Sequence, residues 1–286
     1  MQQLTVLGVG LLGGSIGLAV RSSAPKCRIV GFGPRRQSLE RAVEVGAIDR
    51  FELDARASVA GSDLVILCTP VGRFQTLFDE ISPGLSAGTL VTDVGSTKRS
   101  VTALAENRLP KNVSFVGSHP IAGSEKRSVE FSRADLFRNR LCILTPTAKT
   151  NPQAADVLEQ FWRSLGMRTL RMSAEDHDRF LADVSHLPHV VAAALVAMQD
   201  DSGIELSGPG FLDATRIAGG DGGLWRDILL DNADNLKSGF RRLREQLAAV
   251  EKMMDGKSAD ALRDWLDKAA ERRAKLMEKK LAELGE

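Results

Sequence analysis

The chain has 286 residues, enough for two domains with cores of ordinary size. Its 38 basic and 37 acidic side chains nearly cancel, so no broad field of one sign marks a nucleic-acid or membrane-surface binder, and a small-molecule function fits better. Three cysteines, Cys27, Cys68 and Cys142, lack CxxC spacing and read as reduced, buried thiols of a cytoplasmic protein.

The opening MQQ runs straight into apolar residues, without the basic segment or cleavage site of a signal peptide. LTVLGVGLLGGS then passes from a β-rich run into a helical pattern, with Gly8, Gly10 and Gly13 spaced as GxGxxG between them. In that context the motif predicts a dinucleotide-binding turn. Gly8 allows the tight turn, Gly10 lets backbone amides approach a pyrophosphate, and Gly13 lets helix and strand pack closely. NAD-type sites carry an acidic residue about 20 positions further on, at the end of the second strand. Here VGFGPRRQ has Gly33 in that place, followed by Arg35 and Arg36, a pair able to clamp a 2′-phosphate. NADP is therefore the expected cofactor, with NAD possible.

The runs CRIVGF, DLVILCTP, GTLVTDV, NVSFVGS and RLCILTP alternate with helical stretches up to about residue 170. Their apolar residues are consecutive, as in strands covered on both faces, so this half predicts an α/β fold with a doubly wound, mostly parallel sheet. Two polar clusters fall at strand ends, where ligands of such sheets sit. In DVGSTK, Ser96 is expected to cap the next helix, to offer its hydroxyl to a ligand, or both, since the two roles are compatible; Arg99 stands where a capping box would need Glu or Gln. In GSHPIAGSE, His119 is held extended by Pro120. An imidazole placed there is suited to accept a proton from an alcohol as hydride leaves, although a loop histidine bonded to a carbonyl would read the same.

From about residue 173 only long helical patterns remain, which places the expected domains at 1–172 and 173–286. The segment 184–198 contains two histidines and a proline and is too short to span a bilayer. Within it 190–198 is apolar all round and expected to be buried, either in its own subunit or in a dimer core. His186 and His189 in SHLPH share a helix face and can reach one cleft; without further ligands of suitable spacing no metal site is expected. Leu236, Phe240, Leu243, Leu247, Val250 and Met254 form one helical stripe, for packing or for a subunit contact.

GVGLLGGS, TPV, DVGSTK, GSHPIAGSE, SHLPH and TRIA followed by LWRDI resemble, in this order and over nearly the whole chain, the prephenate and arogenate dehydrogenases of tyrosine biosynthesis. The resemblance implies a Rossmann domain followed by a helical dimerisation domain, hence a homodimer. It implies that His119 bonds the ring hydroxyl of the substrate and promotes hydride transfer, with Ser96 assisting. Glu125, His186 and His189 would lie near the substrate side chain, Arg216 would hold a carboxylate, and Trp225 would line or support the site. One departure is Leu212, where some members carry a basic residue able to pair with the glutamate matching Glu125, so an ionic gate there is not expected. No regulatory domain is expected beyond the helices. Prephenate and arogenate remain alternatives, and a 3-hydroxyacid dehydrogenase of the same plan is the rival, although such enzymes lack the HP and SHLPH elements.

Overall fold

The computed structural model describes residues 1–123, 126 and 128–284. Its chain divides into two compact units, 1–233 and 234–286.

The first unit opens with β1 (Gln3–Leu7), α1 (Leu11–Ser23), β2 (Arg28–Phe32), α2 (Arg36–Glu44), β3 (Arg50–Glu52), α3 (Ala55–Ser58), β4 (Leu64–Leu67), α4 (Phe74–Ile81), β5 (Leu90–Asp93), α5 (Arg99–Arg108) and β6 (Ser114–Phe115). The six strands form one parallel sheet in the order β3-β2-β1-β4-β5-β6. This is the doubly wound Rossmann order, with the switch point beside β1. Successive strand residues feed opposite faces. Leu4, Val6, Leu64 and Ile66 join Ile16, Val20 and Leu39 on one side, while Leu7, Val65 and Leu67 join Phe74, Phe78 and Val101 on the other. Two cores, one per face, explain why apolar residues follow one another directly in these strands, most fully in β4, LVIL.

A second, three-stranded sheet consists of β7 (Gly117–Pro120), β8 (Leu141–Thr145) and β9 (Arg168–Arg171), with α6 (Pro152–Ser164) between the last two. β7 runs antiparallel to β8, and β8 parallel to β9. The run NVSFVGS, expected as one strand, is thus two: β6 ends the parallel sheet and β7 starts the next. The joint is held by Thr92, whose hydroxyl donates to the Val116 carbonyl (2.7 Å), and by Ser118, whose hydroxyl donates to the Asp93 carbonyl (2.6 Å). β3 and β9 have no counterpart among the expected strands. Both are short, and β9, an edge strand, has Arg168 and Arg171 at its two ends around Thr169 and Leu170.

After β9 the described residues are helical. α7 (Ala174–Leu181) and α8 (Leu187–Ala197) join through a π-helical turn, Ala182–His186, into one run of 24 residues. Pro188 has no N–H for the carbonyl four residues earlier, at Val184, and the wider turn absorbs that mismatch. By length and composition this run could cross a membrane, being longer than the segment 184–198 read from sequence. In the fold, however, His177, Asp178 and His186 are buried along it. The expectation that 190–198 is fully buried does not hold within the chain. Ala192 is buried, but Val196 and Met198 are 36% and 73% exposed, because no further layer of this unit covers that face. α9 (Asp201–Glu205), α10 (Pro209–Thr215) and α11 (Gly222–Asp231) complete the unit.

The second unit is a helical hairpin of α12 (Ala233–Asp255) and α13 (Ala259–Leu284), turned at Lys257 in the left-handed region (φ 49°). The Trp265 indole donates to Gln246 Oε1 (3.3 Å). The expected stripe lies on α12, with Leu247 and Met254 more than half exposed.

Candidate active site

Gly8 follows β1 at φ 102°, a conformation that disfavours any side chain, and a Cβ there would lie 2.9 Å from the Cys68 carbonyl carbon. A Cβ on Gly13 would lie 2.2 Å from the Gly8 carbonyl oxygen, so α1 can approach β1 only because position 13 is glycine. Gly10 is the N-cap of α1 and supplies no side-chain cap. The first-turn amides of α1 are therefore open to an anion at the positive end of the helix, and the cradle fits the pyrophosphate of a dinucleotide. When bound, a nicotinamide dinucleotide supplies the hydride acceptor.

At the end of β2 the structure places Gly33, buried, followed by exposed Arg35 and Arg36. Arg36 is engaged locally: it pairs with Glu40 (3.8 Å) and its guanidinium lies 5.5 Å from the Phe51 ring centre. Arg35, the N-cap of α2, makes no ion pair among the described residues.

Beyond β5, Ser96 is partly buried in the loop 94–98. It does not cap α5. Instead Asp178 of α7 caps that helix from outside, its Oδ1 accepting from the Lys98 amide (2.8 Å) and its Oδ2 from the Arg99 amide (2.9 Å). The Lys98 side chain turns inward, fully buried, onto the equally buried Asp93 carboxylate. That carboxylate also accepts from the amides of Gly95 (2.8 Å) and Ser118 (3.2 Å), tying the loop after β5 to β7.

His119 lies within β7, opposite Ile143 of β8, rather than after the strand as the sequence implied. Its Nδ1 is 2.9 Å from Nε2 of His177, and Nδ1 of His177 is 2.8 Å from Asp178 Oδ1. Desolvation holds the His119 pKa well below the usual histidine value, and the positive fields of His177, Lys98 and His186 act in the same direction. Desolvation also lowers His177, against the opposing pull of Asp178. Burial works against the Asp178 carboxylate, but the hydrogen bonds from His177 and from the Arg99 and Lys98 amides outweigh it and hold its pKa low. At neutral pH the arrangement is therefore two neutral imidazoles in line with one carboxylate.

From there the polar chain continues. Asn232 Nδ2 donates to the Asp178 carbonyl (2.7 Å) and to Nδ1 of His186 (3.1 Å). Burial pushes His186 down to about 4 and lowers His189 as well. His189 stacks on Trp225 (ring centres 3.5 Å apart, 13° between planes), and His186 meets the same indole edge-on at 6.2 Å. Nε2 of His186 and Nδ1 of His189 are buried without a hydrogen-bond partner among the described residues, two ring nitrogens with capacity for a polar ligand. Arg216 opens the turn Arg216–Gly219, is exposed, and forms no ion pair with another described residue. That turn leads to Gly220, where a Cβ would lie 3.0 Å from His189 Cε1. Glu125 lies outside the described residues.

His119, His186, His189 and Trp225 thus belong to one network. His177 and Asp178 complete it and were missed, although a signal existed: Ala174, His177, Asp178 and Leu181 occupy the buried face of α7, so a histidine and an aspartate stand at core positions of an amphipathic helix. No cluster of three or more His, Cys, Asp or Glu arranged to hold a metal occurs among the described residues.

The family model for the nucleotide-binding domain of prephenate dehydrogenase matches residues 16–171, and the model for its dimerisation domain matches 173–268. The chain belongs to the prephenate dehydrogenase family. It is 35% identical to a prephenate dehydrogenase of Bacillus subtilis, over 91% of this chain and 72% of that protein. Among solved structures it resembles the prephenate dehydrogenase of Aquifex aeolicus in complex with hydroxyphenyl propionate and NAD+ (34% identity, TM-score 0.90, 96% of this chain and 98% of that one). It also resembles an arogenate dehydrogenase of Synechocystis (27% identity, TM-score 0.83, 96% and 100%).

Proposed function

We propose that this chain is an NAD(P)-dependent prephenate dehydrogenase in which His119 is the general base. Residues 1–172 would bind the dinucleotide, and 173–286 would bind substrate and pair two subunits. The observation that carries this reading is a neutral, desolvated imidazole on β7, beside the carboxyl ends of the parallel strands where the glycine cradle also lies. The family match adds the substrate class, a cyclohexadienol bearing a ring carboxylate, and the dimer. His119 takes the hydroxyl proton while hydride leaves the carbinol carbon; loss of CO₂ then makes the ring aromatic and drives the step. Ser96, on the neighbouring loop, is read as assisting His119, and Glu125 as lying near the substrate side chain. His186, His189 and Trp225 form the wall facing that side chain, the two histidines offering their unpartnered ring nitrogens. The compartment is read as cytoplasmic.

The direct test is a steady-state assay of the purified chain with prephenate and with arogenate, each with NAD+ and NADP+. Turnover of neither substrate would overturn the reading, and turnover of arogenate alone would move it to the arogenate branch of the family.

Arg216 is read as the carboxylate clamp, since its guanidinium has no ion-pair partner among the described residues and sits on the turn leading to His189 and Trp225. Arg216→Ala is expected to raise KM for prephenate by about 10- to 100-fold, corresponding to about 1.5–3 kcal/mol for a charge-assisted pair, with kcat little changed. An unchanged KM would assign the carboxylate to another group.

Of the two dinucleotides, NAD+ has the more direct support, being the one bound in the Aquifex structure. The end of β2 argues for NADP: Gly33 brings no carboxylate to repel a 2′-phosphate, and Arg35 is the arginine of the pair without an ion-pair partner among the described residues. On this reading Arg35→Ala costs about 10- to 100-fold in kcat/KM with NADP and little with NAD. Arg36→Ala, whose charge is already paired, costs less. A parent enzyme that prefers NAD, or equal losses with both cofactors, would remove NADP from the proposal.

A further inference from the structure

The line from His119 to Asp178 carries more than a base and its surroundings. We propose that His177 and Asp178 are positioning residues that decide which nitrogen of His119 carries its proton, leaving Nε2 bare to receive the proton of the substrate hydroxyl. The proposal rests on the reading of His119 as the base.

At the far end of the line, Asp178 receives two backbone amides at the start of α5, one on each oxygen, and so is held ionised as an acceptor. At 2.8 Å from Asp178 Oδ1, His177 Nδ1 must carry a proton. A neutral His177 then has its lone pair on Nε2. That lone pair lies 2.9 Å from His119 Nδ1, a distance that two bare nitrogens would not hold, so the shared proton sits on His119 Nδ1. Free histidine favours the opposite tautomer, with hydrogen on Nε2, which could not accept a proton at that atom. Without the relay, a large share of His119 would present a proton where a lone pair is required.

The same line serves the transition state. As the substrate O–H bond breaks, its proton forms a bond to His119 Nε2. The former O–H electron pair becomes the carbonyl π bond while the carbinol hydride passes to the nicotinamide, the oxidant of the family's reaction. His119 becomes an imidazolium, and its Nδ1–H bond to His177 becomes charge-assisted without any proton moving toward Asp178. The other charged groups near the imidazole, Lys98 and Asp93, form their own buried pair, and the titratable neighbour His186 is neutral near pH 7.

Tautomers are read directly from ring ¹⁵N resonances of ¹⁵N-histidine-labelled protein, and with only four histidines in the chain each ring is assigned by single substitution. The expected spectrum near pH 7.5 has hydrogen on Nδ1 of both His119 and His177. Hydrogen on Nε2 of His119 would overturn the proposal, whatever the activity; loss of the base assignment would instead appear as an active His119→Asn. The kinetic arm compares two variants. His177→Leu removes the acceptor and should lower kcat by about 10²–10³-fold with KM values little changed, somewhat less than the loss when a catalytic triad loses its tautomer-fixing carboxylate. His177→Gln, whose side-chain oxygen can accept from His119 Nδ1, should recover to within about tenfold of the parent. Equal losses in the two variants would mean that His177 only packs α7 against β7. If the leucine variant fails to fold, the spectrum of the parent still decides.

Discussion

His119→Asn is expected to fold, to bind NAD(P), and to lose about 10²–10⁴-fold in kcat, the usual contribution of a positioned general base. Asparagine keeps a polar group of similar size beside His177, so the packing of β7 against α7 should survive; what goes is a nitrogen that can be protonated. Desolvation also sets the pH dependence. His119 is held well below the ordinary histidine value, so its neutral form persists to lower pH than in a solvated imidazole. The acid limb of kcat/KM in the parent should accordingly lie below about pH 6.5, and it should vanish from whatever activity remains in the variant. Turnover within threefold of the parent would remove His119 as the base.

Asp93→Ala should be the most destabilising single change near the site. Its carboxylate is the counter-ion of a lysine with no exposed surface, and removing one member of such a pair leaves a buried charge uncompensated, at a cost of about 3–5 kcal/mol. Stabilities of whole domains are about 5–15 kcal/mol, so the urea midpoint should fall steeply. Adding Lys98→Met to the same chain removes the stranded charge and should restore much of the loss. A double-mutant cycle measures that coupling, and losses that simply add would show that the two groups do not depend on each other. Asp93 also receives the Gly95 and Ser118 amides, so it joins the loop bearing Ser96 to the strand bearing His119, the two residues to which the proposed function assigns the chemistry.

Much of this was legible in sequence because it is local. A glycine at position 8 answers to the φ of a single turn. The consecutive apolar residues of β1 and β4 answer to a sheet covered on both sides. His119 before Pro120, and His186 three residues from His189, are spacings along the backbone that place side chains before any long-range packing is known. The alternation of strands and helices and the change to helices after Arg171 follow from periodicity. The break between β6 and β7 was not visible, since a run such as NVSFVGS has the same residue pattern whether it stays in one sheet or passes to a second.

What only the tertiary structure decided is which distant groups meet. His119 and His177 are 58 residues apart, and nothing in either neighbourhood specifies the other. Lys98 would ordinarily be given to solvent, yet packing encloses it, and a buried ammonium must find a carboxylate wherever the fold provides one. Asp178 caps a helix 79 residues earlier in the chain because α7 crosses the start of α5. By itself the sequence determined the glycine turn after β1, the class of fold and the place of His119 before Pro120 as a candidate base. The lowered pKa of His119 and the tautomer proposed for it depend instead on desolvation and on the partner at 2.9 Å, because a tautomer and a pKa belong to the environment of a ring and not to the ring itself.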